Sequence, residues 1–416
     1  MSFDQFGLSQ EILRAITERG YDQPTPIQYQ AIPLVLEGRD LMGRAQTGTG
    51  KTAAFALPML ERLRAQANTS FSPARHPIRA LILVPTRELA VQVSDSFRVY
   101  GRHVPLRYAV VYGGVPIEPQ LKELRAGVEI LVATPGRLLD HVGQRSVNLG
   151  QVEIFVLDEA DRMLDMGFIP DIRKIVELLP KRRQNLLFSA TFSADIRRLA
   201  QTILHEPVSV DVTPQTTSAE MVDQVVYLVD ERRKRELLGE LIRRRDLNQV
   251  LVFTRTKLQT ARLATQLERD GIEAVAIHGD RTQPERERAL DAFRRGEVRV
   301  LVATDVAARG LDIEDLPLVV NYELPHTAQD YIHRIGRTGR AGQAGQAISL
   351  VAPHEEPYLR EVNRLLKRDL PVRVVKGFAI QAAAGPRTIR ANATPGPDGP
   401  SGRPPRRRPR RPARVA

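Results

Sequence analysis

Short β-branched or Leu-rich runs recur along the chain, separated by stretches of helical periodicity. In the first half the apolar runs are Asp40 to Gly43, Arg79 to Val84, Arg107 to Val111, Glu129 to Ala133, Glu153 to Leu157, Gln184 to Phe188 and Pro207 to Val212. Runs so short and so continuously apolar predict strands buried on both faces. Helical patterns lie between them, as at Thr52 to Leu63, Thr86 to Tyr100 and Ala194 to Leu204. The polar stretch TPQTTSAE, Thr213 to Glu220, has no apolar periodicity and predicts a hinge. Beyond it the alternation restarts with Gln224 to Val229, Val250 to Thr254, Ile272 to Ile277, Val298 to Ala303, Leu318 to Tyr322 and Gln346 to Val351, with helical patterns at Lys257 to Arg269 and Pro284 to Arg295. Strands alternating with helices predict an α/β fold of mostly parallel sheets covered on both faces. The implied division is a first domain at 1–212, a linker at 213–220, a second domain at 221–371 and a tail at 372–416. Ligand-binding loops are expected at the carboxyl ends of the strands.

One such loop reads AQTGTGKT: Ala45, Gln46, Thr47, Gly48, Thr49, Gly50, Lys51, Thr52. A Gly-rich turn from strand to helix leaves backbone N–H groups unpaired at the positive end of the helix, a seat for polyphosphate. Lys51 is placed to reach the β and γ phosphates, and the Thr52 hydroxyl to ligate Mg²⁺. The pattern departs from the generic phosphate loop at its first position, where Ala45 replaces glycine.

Phosphoryl transfer to water also needs a carboxylate to hold the metal, a group to orient the water, and positive charge for the γ-phosphate. The run IFVLDEAD supplies the first two, because strand Ile154 to Leu157 delivers Asp158 and Glu159 at its carboxyl end. Asp158 is the candidate Mg²⁺ ligand and Glu159 the candidate for polarising the attacking water.

Composition narrows the setting. With 416 residues and 42% hydrophobic content the chain can build two cores. It has no Cys, which excludes disulfides, thiolate metal sites and a Cys nucleophile and fits a reducing cytoplasm. No apolar run approaches the length of about 20 residues that spans a membrane, and MSFDQFGLSQ shows no secretory pattern. The net charge is +12, of which Pro386 to Ala416 carries +8 through nine Arg and one Asp. That stretch also holds eight prolines and almost no apolar residues, so a disordered polyanion-binding arm is expected, most simply for RNA. The alternative is a solvated solubility tail.

The spelling DEAD at Asp158 to Asp161, together with AQTGTGKT, resembles the DEAD-box family of ATP-dependent RNA helicases, and further signatures follow in order from about Phe3 to about Leu370. GYDQPTPIQ, Gly20 to Gln28, is similar to the Q motif, in which Gln28 would read adenine and Tyr21 would stack on it. PTRELA (Pro85, Thr86, Arg87 onward), Gly113 with Gly114, and TPGR (Thr134 to Arg137) are similar to the family's RNA track. SAT (Ser189 to Thr191) couples nucleotide and track in that family. The second half resembles the partner domain through LVFTRT at Leu251 to Thr256, Gln283 with Arg286, VATDVAARGLDI at Val302 to Ile313, and YIHRIGRTGR at Tyr331 to Arg340. The resemblance implies arginine fingers at Arg337 and Arg340, a ribose contact at Asp312, RNA contacts at Arg255, Gly279 and Thr304, and interdomain coupling through Asp161, Ser189, Thr191, His333 and Arg334. It implies two tandem RecA-like domains closing on ATP and Mg²⁺, with RNA gripped by its backbone and a duplex opened locally. An ATP-gated clamp or chaperone that unwinds little shares every one of these motifs, and a DNA-directed motor would share most. The PTPIQ and FTRTK spellings, the short N-terminus and the basic tail are most similar to the bacterial RhlE-like branch.

Overall fold

The structure, a computed structural model, describes residues 2–45, 49–212, 222–245, 248–308, 313, 316–339, 345–375 and 377–378. The expected linker, 213–220, and the tail beyond 378 lie outside them.

The first lobe carries strands β1 (Leu41–Arg44), β2 (Ala80–Leu83), β3 (Tyr108–Val111), β4 (Ile130–Ala133), β5 (Ile154–Leu157), β6 (Gln184–Ser189) and β7 (Val208–Asp211). Its helices are α1 (Gln10–Glu18), α2 (Pro26–Leu36), α3 (Lys51–Arg64), α4 (Arg87–Tyr100), α5 (Glu118–Arg125), α6 (Pro135–Gly143), α7 (Ala160–Asp165), α8 (Ile169–Glu177) and α9 (Ala194–Ile203). The seven strands pair in parallel in the order β3-β4-β2-β5-β6-β1-β7. Side chains alternate across a strand, so Ala80 and Ile82 enter the core under α1 to α4 while Leu81 and Leu83 enter the core under α5 to α9. Burial on both faces is why these strands read as unbroken apolar runs.

The second lobe repeats the plan with β8 (Val222–Leu228), β9 (Val250–Thr254), β10 (Ala274–Ile277), β11 (Val300–Thr304), β12 (Leu318–Asn321), β13 (Gly345–Val351) and β14 (Val372–Arg373), and with α10 (Lys234–Arg245), α11 (Lys257–Arg269), α12 (Gln283–Arg294), α13 (Asp305–Ala308), α14 (Ala328–Ile335) and α15 (Glu356–Leu366). Its sheet is also parallel, in the order β10-β11-β9-β12-β13-β8-β14. Val250 and Val252 face the core of α10 and α11, and Leu251 and Phe253 face that of α12 and α13. Val372, Arg373 and Phe378, assigned above to the tail, join this lobe: β14 pairs with β8, and the Arg233 guanidinium lies 4.4 Å from the Phe378 ring centroid. A two-residue edge strand is too short to show in hydrophobic patterning. Among the described residues no helix is long and apolar enough to cross a membrane.

Several helices begin at signature residues. Thr86 caps α4 by accepting the Leu89 N–H at 3.4 Å, and Thr256 caps α11 by accepting that of Gln259 at 3.2 Å. Thr134 precedes α6 with Pro135 in the first turn but makes no capping bond with its hydroxyl.

Candidate nucleotide and RNA site

The phosphate loop joins β1 to α3. Gly50 caps α3 at φ 87°, and a Cβ there would lie 2.5 Å from Gln28 Nε2, so conformation and space both require glycine. Ala45 is buried at 1% exposure and is not at positive φ, which is why alanine is tolerated where the generic loop has glycine. Its N–H bonds the Ser189 carbonyl at 3.3 Å, tying the loop to the SAT stretch. Gln46, Thr47 and Gly48 lie outside the described residues.

Gln28 is 3% exposed. Its Nε2 donates to the Gly50 carbonyl at 3.1 Å and its Oε1 accepts from Thr25 N–H at 2.9 Å. The amide therefore spends half its capacity linking the Q motif to the phosphate loop, leaving one N–H and one lone pair for a base edge. The Tyr21 hydroxyl lies 3.3 Å from that of Tyr100. Burial, reinforced by the Tyr21 contact, pushes the Tyr100 phenol above its ordinary range.

Lys51 Nζ sits 3.7 Å from Asp158 Oδ1 in a pair that is almost wholly buried. Burial opposes the ammonium charge, but Asp158, Glu159 and Asp161 outweigh it and hold the Lys51 pKa above its usual value. Burial, with Glu159 and Asp161 as neighbours, pushes the Asp158 carboxyl up despite Lys51. An oxygen donor set of Asp158 with the Thr52 hydroxyl fits a hard divalent cation such as Mg²⁺.

Glu159 occupies left-handed backbone, φ 55° and ψ 51°, immediately before α7. A non-glycine residue there stores about 1–3 kcal/mol of strain, which is typical of functional sites. Its carboxylate accepts from Arg162 Nη1 at 2.5 Å. Burial raises its pKa, but Arg162, Lys51 and, across the cleft, Arg337 prevail and bring it down to about 2. Asp161 Oδ2 accepts from both the N–H and the hydroxyl of Thr191, at 2.9 and 3.0 Å, and Ser189 Oγ donates to the Thr191 carbonyl at 2.7 Å, so DEAD and SAT form one network inside the first lobe.

The two lobes meet around a cavity of about 710 Å³, lined by Tyr21, Lys51, Thr52 and Glu159 on one side and by Gln283 and Arg294 on the other. Arg286 of α12 bridges to Glu88 of α4 at 2.6 Å. Arg337 is 8% exposed and follows α14. Arg340 and Asp312 lie outside the described residues. His333 occupies the last turn of α14, half-buried. Arg334 is 1% exposed and bonds within its own lobe, to Asp305 at 2.6 and 2.7 Å, Asn321 at 3.0 Å and the Glu323 carbonyl at 2.6 Å, so any part it has in coupling runs through its placement of α14.

The residues matched to the RNA track fall at equivalent places in the two lobes. Pro85, Thr86 and Arg87 follow β2, Gly114 follows β3 and Thr134 follows β4; Arg255 follows β9, Gly279 follows β10 and Thr304 ends β11. In each lobe those three strands are neighbours. The Arg87 guanidinium lies over Gly114, where a Cβ would come within 2.1 Å of it. Two of the arginines face inward. Arg255 donates to the Leu324 carbonyl and to Glu355, both at 2.7 Å, and stacks 4.8 Å from the Tyr358 ring. Arg137 donates to the Val115 carbonyl at 2.9 Å and to Gln120 at 3.2 Å. Gln120, Arg162 and Glu355 belong to the site, yet no local spelling sets them apart.

Known proteins match this arrangement. The chain matches the DEAD/DEAH box helicase family over residues 25–199 and the helicase conserved C-terminal domain over residues 233–342. It is 45% identical to the ATP-dependent RNA helicase CshA of Listeria monocytogenes, over 88% of this chain and 69% of that protein. It is 43% identical to the ATP-dependent RNA helicase DeaD of Haemophilus influenzae, over 89% of this chain and 59% of that protein. Among solved structures, S. cerevisiae Dbp5 bound to RNA and ADP BeF3 is similar with TM-score 0.76 and 33% identity, over 90% of this chain and 95% of that one. The two sheets are thus a tandem RecA-like fold. With Lys51 of the phosphate loop and the DEAD acids Asp158 and Glu159 lining one cleft, and with both helicase regions matched in order, the chain belongs to the DEAD-box family of ATP-dependent RNA helicases.

Proposed function

We propose that the protein hydrolyses ATP when RNA holds its lobes together, and that this closure opens short RNA duplexes or remodels ribonucleoproteins. The observation that carries the reading is geometric: one cavity is lined by Lys51, Thr52 and Glu159 of the first lobe and by Gln283 and Arg294 of the second, and Arg286 bridges to Glu88 beside it. Lys51 and the N-terminus of α3 seat the triphosphate, and Arg337, with Arg340, offsets charge developing on the γ-phosphate. Thr52 and Asp158 would hold Mg²⁺, which when bound neutralises charge on the phosphate oxygens. A carboxylate with a pKa near 2 is a weak base, so Glu159 serves better to orient and polarise water, and doing so requires it to turn away from Arg162. Tyr21 and Gln28 receive the base, and Asp312 the ribose.

RNA crosses Thr86, Arg87, Gly114 and Thr134 in the first lobe and the backbone around Arg255, Gly279 and Thr304 in the second. Small residues and hydroxyls there suit phosphate contacts that carry no base information. Asp161, Ser189 and Thr191 connect that track to the nucleotide, with His333 and Arg334 answering from the second lobe. The segment 213–220 acts as the hinge. The arginine-rich stretch 386–416 adds salt-dependent, sequence-independent affinity. The PTPIQ and FTRTK spellings support a place in the RhlE-like branch, and the absence of Cys supports a cytoplasmic setting. The helicase names of the relatives support unwinding over the clamp reading.

The test is ATP turnover with and without single-stranded RNA, run beside release of a labelled short duplex. RNA is expected to accelerate turnover and ATP to release the duplex. Turnover indifferent to RNA would overturn the reading, and RNA-stimulated turnover without release would favour the clamp.

A further inference from the structure

Two turns of the first lobe, Gly113-Gly114 after β3 and TPGR after β4, are held together by a buried polar chain. At its centre is Gln120 of α5, 7% exposed. Its Nε2 donates to the Tyr112 carbonyl at 3.0 Å, and its Oε1 accepts from Arg137 Nη1 at 3.2 Å and lies 3.0 Å from His141 Nε2. The flipped amide would set its oxygen against a carbonyl and its NH₂ against a guanidinium, so the partners fix its orientation. His141 is fully buried. Burial, with the Arg137 charge beside it, pushes the imidazole pKa below its ordinary value. A neutral ring facing an amide oxygen carries its proton on Nε2; Nδ1 lies 2.8 Å from the Ser146 hydroxyl, which donates to the His141 carbonyl at 3.0 Å. Hydrogen bonds thus run in one direction, from His141 through Gln120 to the Tyr112 carbonyl.

Arg137 closes the frame from the other side. Its Nη2 donates to the Val115 carbonyl at 2.9 Å and its Nε lies 3.4 Å from Asp140. The carbonyls of Tyr112 and Val115 flank the two glycines, so both ends of the turn are gripped by side chains. The Arg137 side chain is 10% exposed; Nη1 and Nη2 each make a hydrogen bond within the frame, and Nε faces Asp140 without one.

We infer that Gln120 and Arg137 are positioning residues for RNA: they set the Gly113-Gly114 backbone so that its N–H groups can meet a phosphate, and Arg137 itself makes no phosphate contact. The inference rests on the RNA path proposed above.

Binding of a labelled single-stranded RNA, measured with a non-hydrolysable ATP analogue between low and moderate salt, tests it. Arg137→Gln and Gln120→Ala are each expected to weaken binding about tenfold, the order for a lost hydrogen bond to a charged group. The double variant should lose little more than the worse single one, because both act on one frame. The slope of log affinity against log salt should stay at its wild-type value in all three. If Gln120→Ala does not fold, Gln120→Glu replaces it: the acceptor for Arg137 and His141 remains, the donor to Tyr112 is lost, and a smaller loss with the same slope is expected. A slope reduced by about 0.7 in Arg137→Gln, the amount for one phosphate contact on a single strand, with normal binding by the Gln120 variants, would overturn the inference. Thr134→Val separates this failure from failure of the path: if Thr134→Val weakens binding while the Gln120 variants do not, the frame alone is wrong, and if neither weakens it, the path is wrong.

Discussion

The two lobes share one sheet order, and a lysine opens the helix after the corresponding strand in each: Lys51 begins α3 after β1, and Lys234 begins α10 after β8. Their surroundings are opposite. Lys51 follows a glycine turn and lines the interlobe cavity. Lys234 follows VDERR, a connection without glycine, and is 0% exposed; it pairs with Glu355, lies 3.3 Å from Glu231 and donates to the Tyr322 carbonyl at 3.0 Å. The acidic positions diverge in the same way. Asp158 and Tyr322 occupy equivalent rungs, their N–H groups bonding the Leu83 and Phe253 carbonyls at 3.0 Å, but the next residue in the second lobe, Glu323, spends its carboxylate on the Arg255 N–H at 2.8 Å. The fold therefore does not confer a nucleotide site. A glycine turn and a lysine that faces a cavity do so, and the second lobe contributes charge from across the cleft.

That contrast is open to direct attack. Arg337→Ala should lower ATP turnover by about 10³-fold, the low end for an arginine finger, with a much smaller change in ATP affinity, as resolved by single-turnover kinetics and nucleotide titration. Equal losses in both would make Arg337 a ground-state contact.

The two lysines should separate next. Lys51→Ala removes a charged phosphate contact and should weaken ATP binding by about 10- to 100-fold. Lys234→Ala leaves Glu355 with Arg255 as its remaining cationic partner and should cost about 2 kcal/mol of stability in denaturant unfolding while ATP affinity stays at the wild-type level. Weakened ATP binding in Lys234→Ala would mean that the buried lysine also serves the nucleotide.

The smallest effect concerns pH. The active form of Glu159 is the carboxylate, so turnover is lost as pH falls through its pKa, which is brought down to about 2 largely by Arg162 acting against burial. Arg162→Gln should raise that pKa and move the acid limb of the pH profile upward. An acid limb that stays in place would show that Arg162 is not the group holding Glu159 ionised.

The parts of this site that were legible in the sequence are those where chemistry constrains consecutive residues. AQTGTGKT must bend tightly at Gly50, and IFVLDEAD must be a buried strand ending in acids, so both spell out their geometry. Strand positions were legible because burial on both faces leaves an unbroken apolar run. The Gln120 frame was not, because its partners Tyr112, Arg137 and His141 come from separate elements and a lone Gln carries no signal of its contacts. The same holds for Glu355, which holds Arg255 inward across 100 residues of sequence. Arginine in a motif announces charge but not which side of the surface uses it.

Catalysis divided between the lobes makes the first lobe insufficient on its own. ATP turnover by residues 1–212 alone, measured with and without saturating RNA beside the full chain, tests it most directly. The first lobe alone is expected to bind ATP but to turn it over slowly and without response to RNA. Turnover by that fragment as fast as the RNA-saturated full chain would contradict it.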